Sequence, residues 1–180
     1  LGEKQCYEII EEKPGYIPKP TEEGIGNISI GQGKIQVTPL QITAMMATIA
    51  NNGVRNYPRL VDELVSEEYT IIKKIEKTKP QAIISTSTAY QLKEMLTKVT
   101  LYGTGKAANL DELGGSGGKT GTAETGIDFG KVKHGWFAGY IPAIEPRYAI
   151  TVFINDGKSG GTAAAPIFRE IAENILINKK

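Results

Sequence analysis

The 180-residue sequence has one cysteine, one histidine and one tryptophan. A lone Cys6 rules out an intrachain disulfide and a metal cage built on thiolates. No metal site and no cofactor are expected. No run approaches the ~18 apolar residues of a membrane span. The first residues lack the basic-then-apolar pattern of a signal peptide. Any membrane anchor is therefore expected outside this chain. An excess of one charge is missing too. Lys and Arg total 21 against 20 Asp and Glu, so the net charge of +1 gives no footprint for nucleic acid. The densest basic cluster, Lys73, Lys74, Lys77 and Lys79, is interrupted by Glu76 and reads as a solvated face.

What remains is an ordinary globular composition, 40% hydrophobic and 23% charged, which excludes a disordered or fibrous chain. The length suits one domain with a real core. The chain opens on Leu1 rather than Met, which suggests a fragment or a processed product.

Residues 1–37 are punctuated by Pro and Gly and read as irregular, with a short strand or a helix end near Tyr7 to Glu12. Thr38 followed by Pro39 predicts a helix start. The body that follows, to Ala50, is apolar nearly all round and so reads as buried. Residues 54–80 alternate weakly and suggest short strands. A second helix is predicted over 86–99, with Ala89, Leu92, Met95, Leu96 and Val99 on its core face. A glycine-rich stretch leads into Lys119. Two strands follow, 135–141 and 148–155, joined by a hairpin over 142–146. A last helix is predicted over 163–178, with Ile167, Phe168, Ile171, Ala172, Ile175 and Leu176 as its stripe. Lys179 and Lys180 suit its C-terminal end.

Gly118-Lys119-Thr120-Gly121-Thr122 is the feature with chemical content. A phosphate-binding loop would need a glycine five residues before Gly118, where Leu113 stands, and would open a helix rather than run on to Gly121 and Gly126. A strand fits better. A lysine on an edge strand places a fixed cation at the lip of a cleft. Thr120 and Thr122 then face the same way, so two hydroxyls can hold one carboxylate. Gly121 leaves room between them for a ligand or another backbone. The strand edge offers N–H and C=O groups to an extended peptide, and the Thr122 N–H is a candidate oxyanion donor.

In this setting Lys-Thr-Gly resembles the third element of the penicillin-recognising serine enzymes. Further segments share the resemblance: Ser29-Ile30-Gly31-Gln32-Gly33, Val37-Thr38-Pro39-Leu40-Gln41, Ala50-Asn51-Asn52-Gly53, Gly103-Thr104-Gly105-Lys106-Ala107-Ala108 and His134-Gly135-Trp136-Phe137-Ala138-Gly139-Tyr140, with residues 163–175 as the closing helix. Together they are similar to penicillin-binding proteins, most closely the monofunctional, class B transpeptidases of elongation, division or sporulation. The resemblance implies an α/β fold of the α+β type, the β-lactamase/transpeptidase-like fold. Its antiparallel sheet packs against helices, and residues 1–180 form the C-terminal portion of a single transpeptidase domain. It implies a parent enzyme on the extracytoplasmic face of the bacterial cell membrane. There a serine attacks the D-Ala-D-Ala end of a peptidoglycan stem peptide, and β-lactams trap the acyl-enzyme. Lys119 would be the family's lysine, Thr120 and Thr122 its carboxylate binders beside Gly121, and the Thr122 N–H its oxyanion donor.

The family's other two elements, Ser-x-x-Lys and Ser-x-Asn, are expected upstream of this chain. None of the six serines has Asn two residues on, and only Ser116 has Lys three residues on. Gly117-Gly118 opposes the helix that such a serine must open. The fragment is therefore expected to be inactive alone. The missing N-terminal half is expected to leave the 148–155 strand with an unpaired edge, open to self-association or to that missing half. A non-catalytic β-lactam sensor or scaffold of the same fold is the alternative. Cys6 as nucleophile, His134 as base, and Glu124 with Asp128 as a glycosidase-like carboxylate pair are the weaker candidates. Trp136 and Phe137 read as core and cleft wall.

Overall fold

The computed structural model describes residues 2–6, 8–19, 24–124, 132–157 and 159–178. Tyr7, Asp128, Lys179 and Lys180 lie outside the described residues. The elements run α1 (Ile25–Ser29), α2 (Pro39–Ala50), β1 (Val54–Arg55), β2 (Glu63–Val65), β3 (Ile71–Lys74), β4 (Gln81–Ala82), α3 (Thr86–Leu101), β5 (Gly117–Glu124), β6 (Lys133–Ile141), β7 (Tyr148–Ile154) and α4 (Ala165–Asn178). Two 3₁₀ turns, Lys106–Ala108 and Asp111–Leu113, precede β5, and a π-helical turn, Gly160–Ala164, precedes α4.

The centre is an antiparallel sheet in the order β5-β6-β7. Its two faces are covered by different helices. On one face Phe137, Ile141 and Val152 pack with Ala165, Phe168 and Ala172 of α4. The Phe137 and Phe168 rings lie 4.6 Å apart. On the other face Ala138 and Tyr140 pack with Met46 of α2 and Leu96 of α3. Both faces of β6 are thus buried, and its alternation sends Phe137 and Ile141 one way and Ala138 and Tyr140 the other. The glycines that open β5 make this possible. A Cβ on Gly117 would lie 2.3 Å from the Tyr140 hydroxyl, and one on Gly118 2.6 Å from the Phe137 ring. The bare strand lets two aromatic rings close over it, one on each face.

Helix α2 starts where the sequence places it. Thr38 Oγ1 accepts from the Gln41 N–H, and Gln41 Oε1 accepts from the Thr38 N–H, a reciprocal capping box. Its burial is less uniform than its apolar sequence implies. Met45 is 37% exposed, whereas the polar Gln41 and Thr48 are buried. Gln41 is drawn inward because its amide donates to the carbonyls of Glu3 and Pro14, tying the irregular N-terminal segment to the helix. That segment is less irregular than expected, since it contains α1. Residues 8–12 form hydrogen-bonded turns rather than a strand or a helix end, with Ile9 donating to Cys6 O and Glu12 to Ile9 O.

In α3 the buried positions are Ala89, Leu96 and Thr100, not Met95, which is 54% exposed. Six residues of helix turn Met95 about 120° away from Ala89, off the face that meets the sheet. In α4 the stripe narrows to Ala165, Phe168 and Ala172, while Ile167 and Ile171 stay 41% and 39% exposed. Helix α4 also begins two residues later than the pattern suggests, because the π turn comes first. The hairpin between β6 and β7 spans residues 142–147. The pairs β1–β4 and β2–β3 form small separate sheets. Lys73, Lys74, Lys77 and Lys79 there are exposed, in keeping with a solvated face.

Candidate active site

The Lys-Thr-Gly segment lies within β5, the edge strand of the sheet, paired only to β6 among the described residues. Opposite Lys119 stands Ala138, opposite Thr120 Phe137, opposite Gly121 Trp136 and opposite Thr122 Gly135. Cross-strand partners share a face. Lys119 and Gly121 therefore belong to the α2/α3 face, and Thr120 and Thr122 to the α4 face. The two threonines do face the same way.

Both threonine hydroxyls are held from behind. Thr120 Oγ1 lies 2.7 Å from Thr104 Oγ1 in the turn after α3. Thr122 Oγ1 accepts from the Gly160 N–H at 3.4 Å. The π turn reaches this close because it starts with two glycines. A Cβ on Gly160 would lie 2.4 Å from Gly121 O, and one on Gly161 2.7 Å from Thr104 O. Trp136 backs Gly121, whose added Cβ would sit 3.3 Å away, and Trp136 packs tilted against Phe153 with centroids 4.6 Å apart.

The outer edge of β5 is defined by what its carbonyls accept. Lys119 Nζ donates to Thr120 O at 2.7 Å, and Gln32 Nε2 donates to Thr122 O at 3.3 Å. In an antiparallel ladder the N–H and C=O of one residue point the same way. The Thr122 N–H therefore faces the open edge as well. Lys119 is exposed and has no carboxylate partner among the described residues. A cation from one face, two hydroxyls from the other and an outward N–H thus flank one strand edge, an arrangement suited to holding an anionic, extended ligand.

The other candidates do not join this group. Ser116 is 1% exposed, donates its hydroxyl proton to Ala108 O at 2.6 Å, and sits just ahead of β5 rather than at a helix start. Cys6 is 1% exposed and its N–H is bound to the Glu12 carboxylate at 2.8 Å. His134 packs edge-on against Phe153, and its Nδ1 faces the Asp156 N–H at 3.4 Å. Glu124 is the last residue of β5 and pairs with Lys133 at 3.0 Å. Two residues now appear beside the strand to which the sequence pattern attached no role: Thr104 and Gln32. Each stands between two glycines, in a segment that shared the family resemblance without marking either residue for the site.

The family description "Penicillin binding protein transpeptidase domain" matches residues 1–173. The chain belongs to the penicillin-binding protein transpeptidase family. Peptidoglycan D,D-transpeptidase PbpA of Mycolicibacterium smegmatis is 33% identical over 81% of this chain and 30% of its own length. The crystal structure of penicillin-binding protein 3 from Mycobacterium tuberculosis in its apo form superposes with a TM-score of 0.85 at 30% identity, covering 99% of this chain and 44% of that one. Penicillin-binding protein A of M. tuberculosis as its penicillin G acyl-enzyme complex gives a TM-score of 0.74 at 30% identity, over 84% of this chain and 35% of that one. The chain thus spans about a third of the length of the curated relatives it matches. Its α+β architecture is that of penicillin-binding transpeptidase domains, with the Lys-Thr-Gly strand at the sheet edge. Among the described residues no helix is long and apolar enough to cross a membrane.

Proposed function

We propose that residues 1–180 are the C-terminal portion of a single class B transpeptidase domain, and that the parent protein is a serine-type D,D-transpeptidase of peptidoglycan. The carrying observation is the β5 edge, which no second strand pairs among the described residues, with Lys119 exposed beside it and the Thr122 carbonyl turned outward to Gln32. The serine elements belong to sequence outside this chain. In the assembled site the serine oxygen attacks the penultimate D-Ala carbonyl. A covalent acyl-enzyme forms and the terminal D-Ala leaves with the proton. An amine of a neighbouring stem then attacks the ester, forms the cross-link and restores the serine. Lys119 supplies fixed positive charge near the serine and the ligand. Thr120 and Thr122 hold the terminal carboxylate, and the Thr122 N–H donates to the oxyanion. Gly121 leaves space for the ligand backbone. A β-lactam presents a carboxylate and a strained amide to the same groups and stops at the ester.

Peptidoglycan lies outside the cytoplasm, so this site works on the extracytoplasmic side of the membrane. The edge of β7, open among the described residues, and the exposed Ile167 and Ile171 receive the rest of the domain.

Labelling by a fluorescent penicillin tests the proposal, on this chain and on a version extended upstream through the serine elements. The extended protein is expected to label and the short chain is not. Lys119→Ala in the extended protein is expected to lower labelling by about a hundredfold or more, the usual scale for removing a group that acts on the transition state. Labelling of the short chain would show that the nucleophile lies within it. No labelling of either would favour a non-catalytic scaffold of the same fold.

A further inference from the structure

We propose that Thr104 is a positioning residue that aims the Thr120 hydroxyl at the ligand carboxylate. The inference rests on the reading of Thr120 as a carboxylate binder given above.

Thr104 is fixed by backbone on two sides. The N–H groups of Gly103 and Gly105 both donate to Val99 O at 3.1 Å, folding the turn onto the end of α3. A Cβ on Gly103 would lie 2.8 Å from Val99 Cα, so the turn stands this close to the helix because residue 103 is a glycine. On its other side the Thr104 carbonyl is backed by Gly161, where a Cβ would approach to 2.7 Å. The hydroxyl held in this clamp lies 2.7 Å from Thr120 Oγ1, an ordinary O–H···O distance.

A hydroxyl has one proton to give and two lone pairs to receive with. Between Thr104 and Thr120, only one of the two donates. If Thr120 donates to Thr104, its proton points away from the ligand and it offers the ligand only lone pairs. An ionised carboxylate also offers only lone pairs, so that arrangement repels. The carboxylate is held when Thr104 donates to Thr120 and Thr120 passes its own proton outward. The two bonds then run in one direction and polarise each other. Thr104 thus sets the direction of a short relay, and its side chain never needs to touch the ligand. Among the described residues, Thr120 is the only hydrogen-bond partner of the Thr104 hydroxyl.

The test uses the extended protein, with benzylpenicillin and its methyl ester as probes. The ester keeps the reactive ring and lacks the anionic carboxylate. Rapid-mixing kinetics separate non-covalent affinity from the acylation step. Thr104→Val is expected to lose about fivefold to tenfold more affinity for the acid than for the ester, the scale of one ordinary hydrogen bond. Thr104→Ser, which keeps the hydroxyl, is expected to restore the wild-type preference. In a Thr120→Val background, adding Thr104→Val is expected to bring no further acid-selective loss. Equal losses for acid and ester, or a loss in Thr104→Ser matching that in Thr104→Val, would overturn the proposal, because either result marks a packing role. So would an unchanged Thr104→Val. If Thr104→Val does not fold, Thr104→Ala carries the same comparison. If instead Thr120→Val and Lys119→Ala leave both probes unaffected, it is the underlying reading of the β5 edge that falls.

Discussion

Tyr140 takes a phenol into the centre of the molecule, where it is fully buried and donates to Lys93 O at 3.1 Å. Burial raises its pKa above the ordinary 10.0, and a hydrogen bond with the Thr97 side chain lowers it in part. The folded state therefore holds this proton more tightly than the unfolded chain does. The resulting stabilisation is complete below the ordinary value and is lost as pH rises through the raised one. Alkaline titration followed by ultraviolet absorbance should show one phenol ionising above the ordinary value, and Tyr140→Phe should remove that late step. A single titration shared by all tyrosines would contradict this. At this scale the sequence was most legible where chemistry is local. Lys119, Thr120, Gly121 and Thr122 form a contiguous motif whose strand alternation is readable without a fold. Ser116 matched a serine motif in letters only, and the Gly117-Gly118 that follows it already argued against a helix. Thr104 and Gln32 were not legible as site residues. Their partners lie 16 and 90 residues away in the chain, and only the fold brings them together.

Among the elements, α2 shows what a sequence can and cannot specify. Its start is written in Thr38, Pro39 and Gln41, because the capping box closes within three residues. Thr38→Ala is expected to destabilise the fold by about 1 kcal/mol, with thermal melting as the check. Its burial pattern could not be read the same way. Gln41 is inside because of carbonyls at Glu3 and Pro14, and no local pattern announces them. The closing helix gives the complementary case. An apolar stripe continues smoothly through residues 163–176, yet the backbone first makes the π turn Gly160–Ala164. That turn is set by Ser159, whose hydroxyl accepts from the Thr162 N–H at 3.2 Å, and by the need to bring Gly160 against β5. Both causes are tertiary or capping effects that helical periodicity does not register.

Across the whole molecule, both faces of the central sheet are covered while β7 is left with an open edge among the described residues. Phe153, Ile167 and Ile171 are each about two-fifths exposed. Unpaired strand edges beside apolar surface favour association. Sedimentation of the isolated chain should therefore show self-association growing with concentration, and the extended protein should suppress it. A strictly monomeric profile at high concentration would count against this. The order of strands and helix was legible because the meander β5-β6-β7 and α4 follow one another along the chain. The opposite edge of the sheet has a different consequence, which concerns energetics rather than assembly. Thr120 O and Thr122 O are not bare: Lys119 and Gln32 already donate to them. An extended ligand laid along β5 exchanges donors there instead of supplying missing ones, so those contacts nearly cancel in the net free energy. Ranking ligands for this groove by their number of main-chain hydrogen bonds should therefore fail. Discrimination falls to the interactions that have no resident substitute among the described residues, above all the anionic terminus and the outward N–H of Thr122.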